Sequence, residues 1–114
     1  MSTLAAILIS GLLATAQVPA QQPMEYVGTF TVSAYNYSEG GGENYYTAGG
    51  YTPVPYYTCA ASDAFEIGEI LYIEGIGEVQ VQDRGNFPDN WIDLHIGYDP
   101  IDSFDMKERE VYRP

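Results

Sequence analysis

Apolar and polar side chains alternate along several short stretches of the chain, which is the pattern of β-strands with one buried face. The first stretch covers residues 26–35. Its expected core face carries Gly28, Phe30, Val32 and Ala34. The same pattern predicts strands at 57–61, 69–73, 78–82, 91–96 and 108–112. A turn with two glycines, at 74–77, joins the predicted strands at 69–73 and 78–82 as a hairpin.

The predicted strand at 91–96 alternates regularly. Its apolar side chains, which we expect to face the core, are Ile92, Leu94 and Ile96. Its other face carries Trp91, Asp93 and His95. This strand therefore presents a carboxyl group between two rings on the side away from the core.

Glycine and proline separate the strands. The segments 38–44 and 46–55 are predicted to be irregular, and one short helix is predicted near 99–106, with Asp99 and Pro100 as its cap and first turn. Six short strands and little helix predict an all-β fold, a small closed barrel. A chain of 114 residues has room for one modest core and no second domain.

The first twenty residues differ from the rest of the chain. The run at 4–16 is apolar throughout, and no charged side chain precedes Glu25. A membrane span needs about 20 apolar residues, so this shorter run is typical of a secretion signal, with cleavage expected after Ala16 or Ala20. We predict a signal peptide at 1–20, a linker at 21–25 and a barrel domain at 26–114, secreted or associated with a cell wall. Because Lys and Arg are absent from the N-terminus, a retained anchor is the alternative.

The formal net charge of −12 narrows the range of partners. Such a surface repels phosphate groups, so we expect no nucleic acid partner, and no membrane partner once the signal is removed. An uncharged polymer such as a glycan is compatible with this charge. Eleven Tyr and Trp91 supply rings that can stack on sugar faces, although for any single Tyr a place in the β core is the plainer interpretation.

A single Cys59 and a single His95 limit thiol and metal chemistry. One Cys cannot form a disulfide within the chain, and a zinc site needs more Cys or His ligands. We therefore expect no metal and no cofactor. For Cys59 we expect a buried, inert place in a strand, with a Cys nucleophile as the alternative.

Several short motifs occur in a characteristic order. They are Ala34-Tyr35, Thr47-Ala48-Gly49-Gly50-Tyr51-Thr52-Pro53, Ala61-Ser62-Asp63, Ile67-Gly68, Leu71-Tyr72-Ile73-Glu74-Gly75, Asp83-Arg84-Gly85 and Ile92-Asp93-Leu94. Their order and spacing, over residues 26–112, resemble the three-Asp domain family, which is similar to the catalytic barrel of membrane-bound lytic transglycosylase A.

The resemblance implies a six-stranded double-psi β-barrel with one short helix near the C-terminus. It also implies a monomeric lytic transglycosylase whose partner is peptidoglycan. Such an enzyme cleaves the bond between N-acetylmuramic acid and N-acetylglucosamine without water and leaves a 1,6-anhydro end. The family's three aspartates match Asp63, Asp83 and Asp93, and the last matches its proposed catalytic acid.

This reaction needs a carboxyl group that can act as an acid, and the three aspartates differ in how well they fit that role. Because the C6 hydroxyl of the substrate is the nucleophile, one carboxyl can act first as acid and then as base, provided that its pKa lies near the working pH. An Asp has an ordinary pKa of about 3.9, which burial or neighbouring negative charge must raise. Asp93, between two apolar residues in a strand, is the best candidate. Asp83 would tune and orient it, and Asp63, beside a turn, would orient substrate or bond to backbone amides.

The candidate substrate-binding residues come from the matching motifs and from the segment that follows Asp83. They are Thr47, Gly50, Thr52, Arg84, Asn86, Trp91 and His95. Each has a structural alternative: the threonines can shape a turn, the arginine can form a surface ion pair, and the histidine can be an ordinary surface residue.

Two functions remain open from the sequence. One is the lytic transglycosylase, favoured by the presence of all three aspartates. The other is a non-catalytic module of the expansin type that binds wall glycan, with structural aspartates. It is favoured by the small size of the domain and by the segment 84–91, which is shorter than is usual in the family and lacks its Lys.

Overall fold

Six strands form a closed barrel in the computed structural model, which describes residues 23–42 and 44–114. They are β1 (Glu25–Tyr35), β2 (Thr58–Ala61), β3 (Ile70–Ile73), β4 (Gly77–Arg84), β5 (Trp91–His95) and β6 (Lys107–Arg113). The predicted strands and the hairpin of β3 and β4 are confirmed, close to their expected bounds. The predicted signal peptide lies outside the described residues, as does the first part of the predicted linker.

The strands follow the order β1-β5-β2-β4-β3-β6 around the barrel, and β6 closes back onto β1. Two pairs are parallel, β1 with β5 and β2 with β4, and the others are antiparallel. The halves β1–β3 and β4–β6 are therefore connected alike. In each half, a strand of the other half lies between the first two strands. This interlocked arrangement is the double-psi barrel that the resemblance implied, and the all-β fold is confirmed.

One row of the strand register positions the site. Ser33 of β1 lies beside Asp93 of β5, which lies beside Ala60 of β2, which in turn lies beside Asp83 of β4. The two aspartates thus flank Ala60 and are two strand spacings apart, roughly 10 Å between Cα atoms. A bulge in β4 adds Gln82 between the residues paired with β2. Because a bulge re-aims the side chains that follow it, Asp83 points away from the core instead of into it.

The core lies inside the barrel and follows the predicted alternation. Its buried members are Phe30, Val32, Cys59, Ala61, Phe65, Leu71, Ile73, Val79, Val81, Ile92, Leu94, Ile96 and Val111. Burial raises the pKa of the Cys59 thiol to about 12, and the charge of Asp93 raises it further. The thiol therefore stays protonated and packs as a small apolar group, as expected of a structural Cys.

Two short helical turns differ from the predicted elements. The helix expected at 99–106 is a single 3-10 turn, Ile101–Ser103, without a side-chain cap. Asp99, its expected cap, instead accepts a hydrogen bond from the hydroxyl of Tyr56. The segment expected to be irregular begins with one α-helical turn, α1 (Tyr37–Gly40). Asn36 caps α1, because its Oδ1 accepts the N–H of the third residue after it at 3.2 Å. No helix among the described residues is long and apolar enough to cross a membrane.

Candidate functional site

A cleft of about 300 Å³ opens over the outer face of the four central strands. It is lined by Tyr35, Glu39, Tyr45, Ala60, Asp83, Arg84, Phe87 and Asp93. The methyl group of Ala60 is the smallest side chain of this lining, and it leaves space between the two aspartates in the row. Three carboxyl groups and one guanidinium therefore share an open cleft of mixed charge.

Asp93 is the half-buried acid of the cleft. Burial raises its pKa to about 6, and the charges of Glu39 and Asp83 add to this rise. A hydrogen bond from the Ser33 hydroxyl to Oδ1, 2.8 Å long, acts in the opposite direction and lowers the pKa. Near pH 6 the carboxyl group is thus present in both protonation states, which suits a group that first donates a proton and then accepts one.

The hydroxyl of Ser33 has its orientation determined by Trp91. The indole Nε1, which can only donate, lies 2.8 Å from Ser33 Oγ. Ser33 must therefore direct its own proton to Oδ1 of Asp93. With Oδ1 occupied as an acceptor, the proton of the acid form belongs on Oδ2. Trp91 was predicted to bind substrate. In the structure it donates a hydrogen bond to Ser33, stacks on Phe87 and does not line the cleft.

Asp83, the other aspartate of the cleft, lies in a different environment from Asp93. It is buried, and its Oδ1 accepts the backbone N–H groups of Ala48, at 2.8 Å, and Arg84, at 2.9 Å. Its Oδ2 accepts the hydroxyls of Tyr45 and Tyr35. Burial beside this carboxylate raises the pKa of both tyrosines, so they remain donors. Four donors hold the Asp83 side chain in one position on one side of the cleft.

A tight turn presents the Ala48 N–H to Asp83. Thr47 closes this turn, since its Oγ1 accepts the N–H of Tyr51 at 3.0 Å and its carbonyl accepts that of Gly50 at 2.8 Å. Gly49 brings the turn against β4, where a Cβ atom would lie 2.8 Å from a backbone oxygen. The structure therefore places Thr47 and Gly50, both expected to bind substrate, in the scaffold behind the cleft.

The segment after Asp83 supplies an aromatic wall that sequence analysis missed. Phe87 lines the cleft and stacks on Trp91, with 9° between the ring planes. A Cβ atom on Gly85 would lie 2.1 Å from the Phe87 ring, so glycine here allows the ring its position in the cleft wall. Arg84 lines the cleft as expected, and its Nη1 donates to the carbonyl of Ser62 at 3.1 Å.

The other predicted site residues lie elsewhere. Asp63 and Asn86 are exposed and do not line the cleft. Thr52 lines a separate small pocket. His95 is completely buried, and burial lowers its pKa. Its Nδ1 accepts the N–H of Gly97 at 3.1 Å, and its ring packs edge-on against the cleft residue Tyr35. Of the three aspartates expected at the site, the structure brings Asp83 and Asp93 together in the cleft, whereas Asp63 does not line it.

Glu39, Tyr35, Tyr45 and Ser33 complete the set of site residues that sequence analysis did not identify. Glu39 had a detectable signal, because Asn36 followed three residues later by Glu is a helix-start pattern.

Within residues 23–42 and 44–114, no group of three or more His, Cys, Asp and Glu side chains could hold a metal ion. Comparison with family models, curated proteins and solved structures found no match to this chain.

Proposed function

We propose that this protein is a peptidoglycan lytic transglycosylase that acts outside the cytoplasm and uses Asp93 as its single acid and base. The observation that carries the proposal is a half-buried carboxyl group with a pKa of about 6 at the base of an open cleft. The motif order that resembles the three-Asp family and the apolar N-terminal run support the same function.

The proposed reaction has two proton transfers and consumes no water. Asp93 donates the proton on Oδ2 to the oxygen that leaves with N-acetylglucosamine, while the bond from this oxygen to C1 of N-acetylmuramic acid breaks. The C6 hydroxyl oxygen of the same muramic acid then forms a bond to C1. The Asp93 carboxylate accepts the hydroxyl proton and returns to its starting state. The products are a free 4-hydroxyl and a 1,6-anhydro ring.

The environment of Asp83 favours this reaction over hydrolysis. A hydrolase needs a second carboxylate that attacks the sugar or activates water. Asp83 has both oxygens engaged by donors, two of them backbone N–H groups, and is therefore a poor nucleophile or base. Its charge, together with that of Glu39, instead raises the pKa of Asp93. A single acid with a raised pKa, Asp93, is sufficient for an intramolecular attack by the substrate.

Digestion of purified peptidoglycan, followed by mass spectrometry of the fragments, tests this proposal. We expect fragments one water lighter than ordinary muropeptides. Their release should fall by about a thousandfold in Asp93→Asn, since positioned acid–base catalysis contributes about 10²–10⁴-fold. Asp63→Asn is the matched control, because Asp63 is exposed outside the cleft; it should retain activity. Fragments with ordinary reducing ends would instead identify a hydrolase.

The second candidate is a non-catalytic module that binds wall glycan. It is favoured by the scaffold roles of Thr47 and Gly50, which match the family's cleft motif but are bonded within a turn. In this case neither the unmodified protein nor Asp93→Asn would release fragments, while both would sediment with peptidoglycan.

A further inference from the structure

Three tyrosines form a row on the outer face of neighbouring strands away from the cleft. Tyr26 of β1 pairs with Tyr112 of β6, which pairs with Tyr72 of β3. Their ring centroids are 5.5 Å and 6.5 Å apart. Tyr26 is 55% exposed and Tyr72 is 38% exposed. We call these three side chains the tyrosine strip.

The tyrosine strip is separate from the cleft. Strands β3 and β6, which carry two of its members, contribute no residue to the lining of the cleft. On β1, Tyr26 is near the beginning and the cleft residue Tyr35 is at the end, roughly 30 Å further along an extended strand. A molecule on the strip would therefore leave the cleft open.

The rings of the strip are held in place before any ligand binds. The Tyr26 hydroxyl donates to Oε1 of Glu110 at 2.5 Å, and Thr29 donates to the same oxygen at 3.1 Å. The Tyr112 ring packs edge-on against Tyr26. Side chains that are already ordered lose little conformational entropy on binding.

Several charged side chains near the strip are bonded within the protein, whereas Glu78, opposite Tyr72 in the register of β3 and β4, is exposed. Arg113 lies between Glu69, at 2.6 Å, and Glu25, at 3.6 Å, and Glu110 accepts the Tyr26 hydroxyl. The strip therefore offers ring faces and hydroxyl groups to an outside molecule. An anionic polymer or lipid would be repelled by the net charge of −12. A neutral sugar chain can stack its C–H faces on the rings and bond to their hydroxyls.

We propose that the tyrosine strip is a second glycan-binding surface, specific for neutral polysaccharide and independent of the cleft. It holds the protein on a neutral polysaccharide whether or not the cleft cleaves a glycan chain. This binding does not depend on the proposed transglycosylase activity.

The test is an NMR titration of the full chain with chitohexaose, a neutral N-acetylated oligosaccharide. We expect amide shifts in β3 and β6 around Tyr72 and Tyr112. Tyr72→Ala and Tyr26→Ala should each weaken this binding about fivefold or more. Tyr98→Ala is the matched control, because Tyr98 is 71% exposed and lies outside the strip; it should bind as the unmodified chain does.

Three outcomes would overturn the proposal. One is a set of shifts confined to the cleft. Another is unchanged binding by both strip variants, with their folding checked by circular dichroism. The third is a dimer in sedimentation experiments that Tyr72→Ala dissociates, without sugar-dependent shifts in β3 or β6, because the strip would then be an interface between two copies. Asp93→Asn should bind chitohexaose at the strip even if no digestion of peptidoglycan is ever observed.

Discussion

The first half of the barrel, β1 to β3, and the second half, β4 to β6, have the same connectivity but contribute different side chains to the central row. The first half supplies Ser33 and Ala60, and the second supplies Asp83 and Asp93 at the positions that correspond to them. Both carboxyl groups therefore come from one half. The small side chains of the other half leave the space between them.

The two aspartates show how surroundings divide one residue type into two roles. Asp83 accepts hydrogen bonds from four donors, while the only donor recorded for Asp93 among the described residues is the Ser33 hydroxyl. Hydrogen bonds to a carboxylate favour its charged form, and burial with few donors favours its neutral form. The number of donors thus separates a carboxyl group held in place by hydrogen bonds from one that can exchange a proton near pH 6.

Removing each carboxylate in turn is the strongest test of the difference between Asp83 and Asp93. We expect Asp83→Ala to lower the free energy of unfolding by about 3 kcal/mol, because it leaves the buried Tyr35 hydroxyl and the other donors to Asp83 without their acceptor. Asp93→Ala should cost less than about 1 kcal/mol, since burial of this acid is itself unfavourable. Urea unfolding at pH 7 measures both values, and equal losses would contradict the division of roles.

Enlarging Ala60 tests whether the space between the aspartates is the site of reaction. We expect Ala60→Leu to project into the cleft and reduce fragment release roughly a hundredfold, because small displacements of a bound substrate have effects of this size. Ala60 is 4% exposed, so the larger side chain should also lower the free energy of unfolding by about 1–3 kcal/mol, and release is compared at a temperature at which the variant is folded. Ala64→Leu, at an exposed position, is the control. Undiminished release by Ala60→Leu would move the reaction elsewhere.

Strand positions and core faces could be predicted because alternation is a local property of the sequence. Val32, Ile92 and Leu94 are completely buried, as their spacing indicated. The resemblance also predicted the barrel topology, and the expected role of Asp83 in tuning Asp93 already required the two side chains to lie close together.

The donors to these aspartates depend on long-range pairing that no local pattern reports. Ser33 and Asp93 are 60 residues apart in the chain. The bulge at Gln82, which turns Asp83 outward, leaves no mark in the apolar spacing. The scaffold role of Thr47 was likewise hidden, because a hydroxyl near a turn can bind either substrate or backbone.

Ser33 allows the test with the smallest expected effect. It lies in the first half of the barrel, and its hydroxyl bonds to Asp93 in the second half. Its hydrogen bond lowers the pKa of Asp93, so Ser33→Ala should raise this pKa. The proposed reaction begins with the protonated acid, and activity should therefore fall above about pH 6 in the unmodified protein and only at higher pH in the variant. Relative to its maximum, the rate of the variant at pH 7 should be a few-fold higher.

A structural loss alone would lower the rate of Ser33→Ala equally at every pH. Ser33→Thr, which keeps the hydroxyl, should restore the original profile, and Trp91→Phe should change it less than Ser33→Ala, because the hydroxyl can still donate to Asp93 without the indole. A carbon-13 titration of the Asp93 carboxyl group measures the same shift without turnover. If that pKa stays unchanged in Ser33→Ala, the hydroxyl does not tune the acid, and burial with the neighbouring charges must account for all of its behaviour.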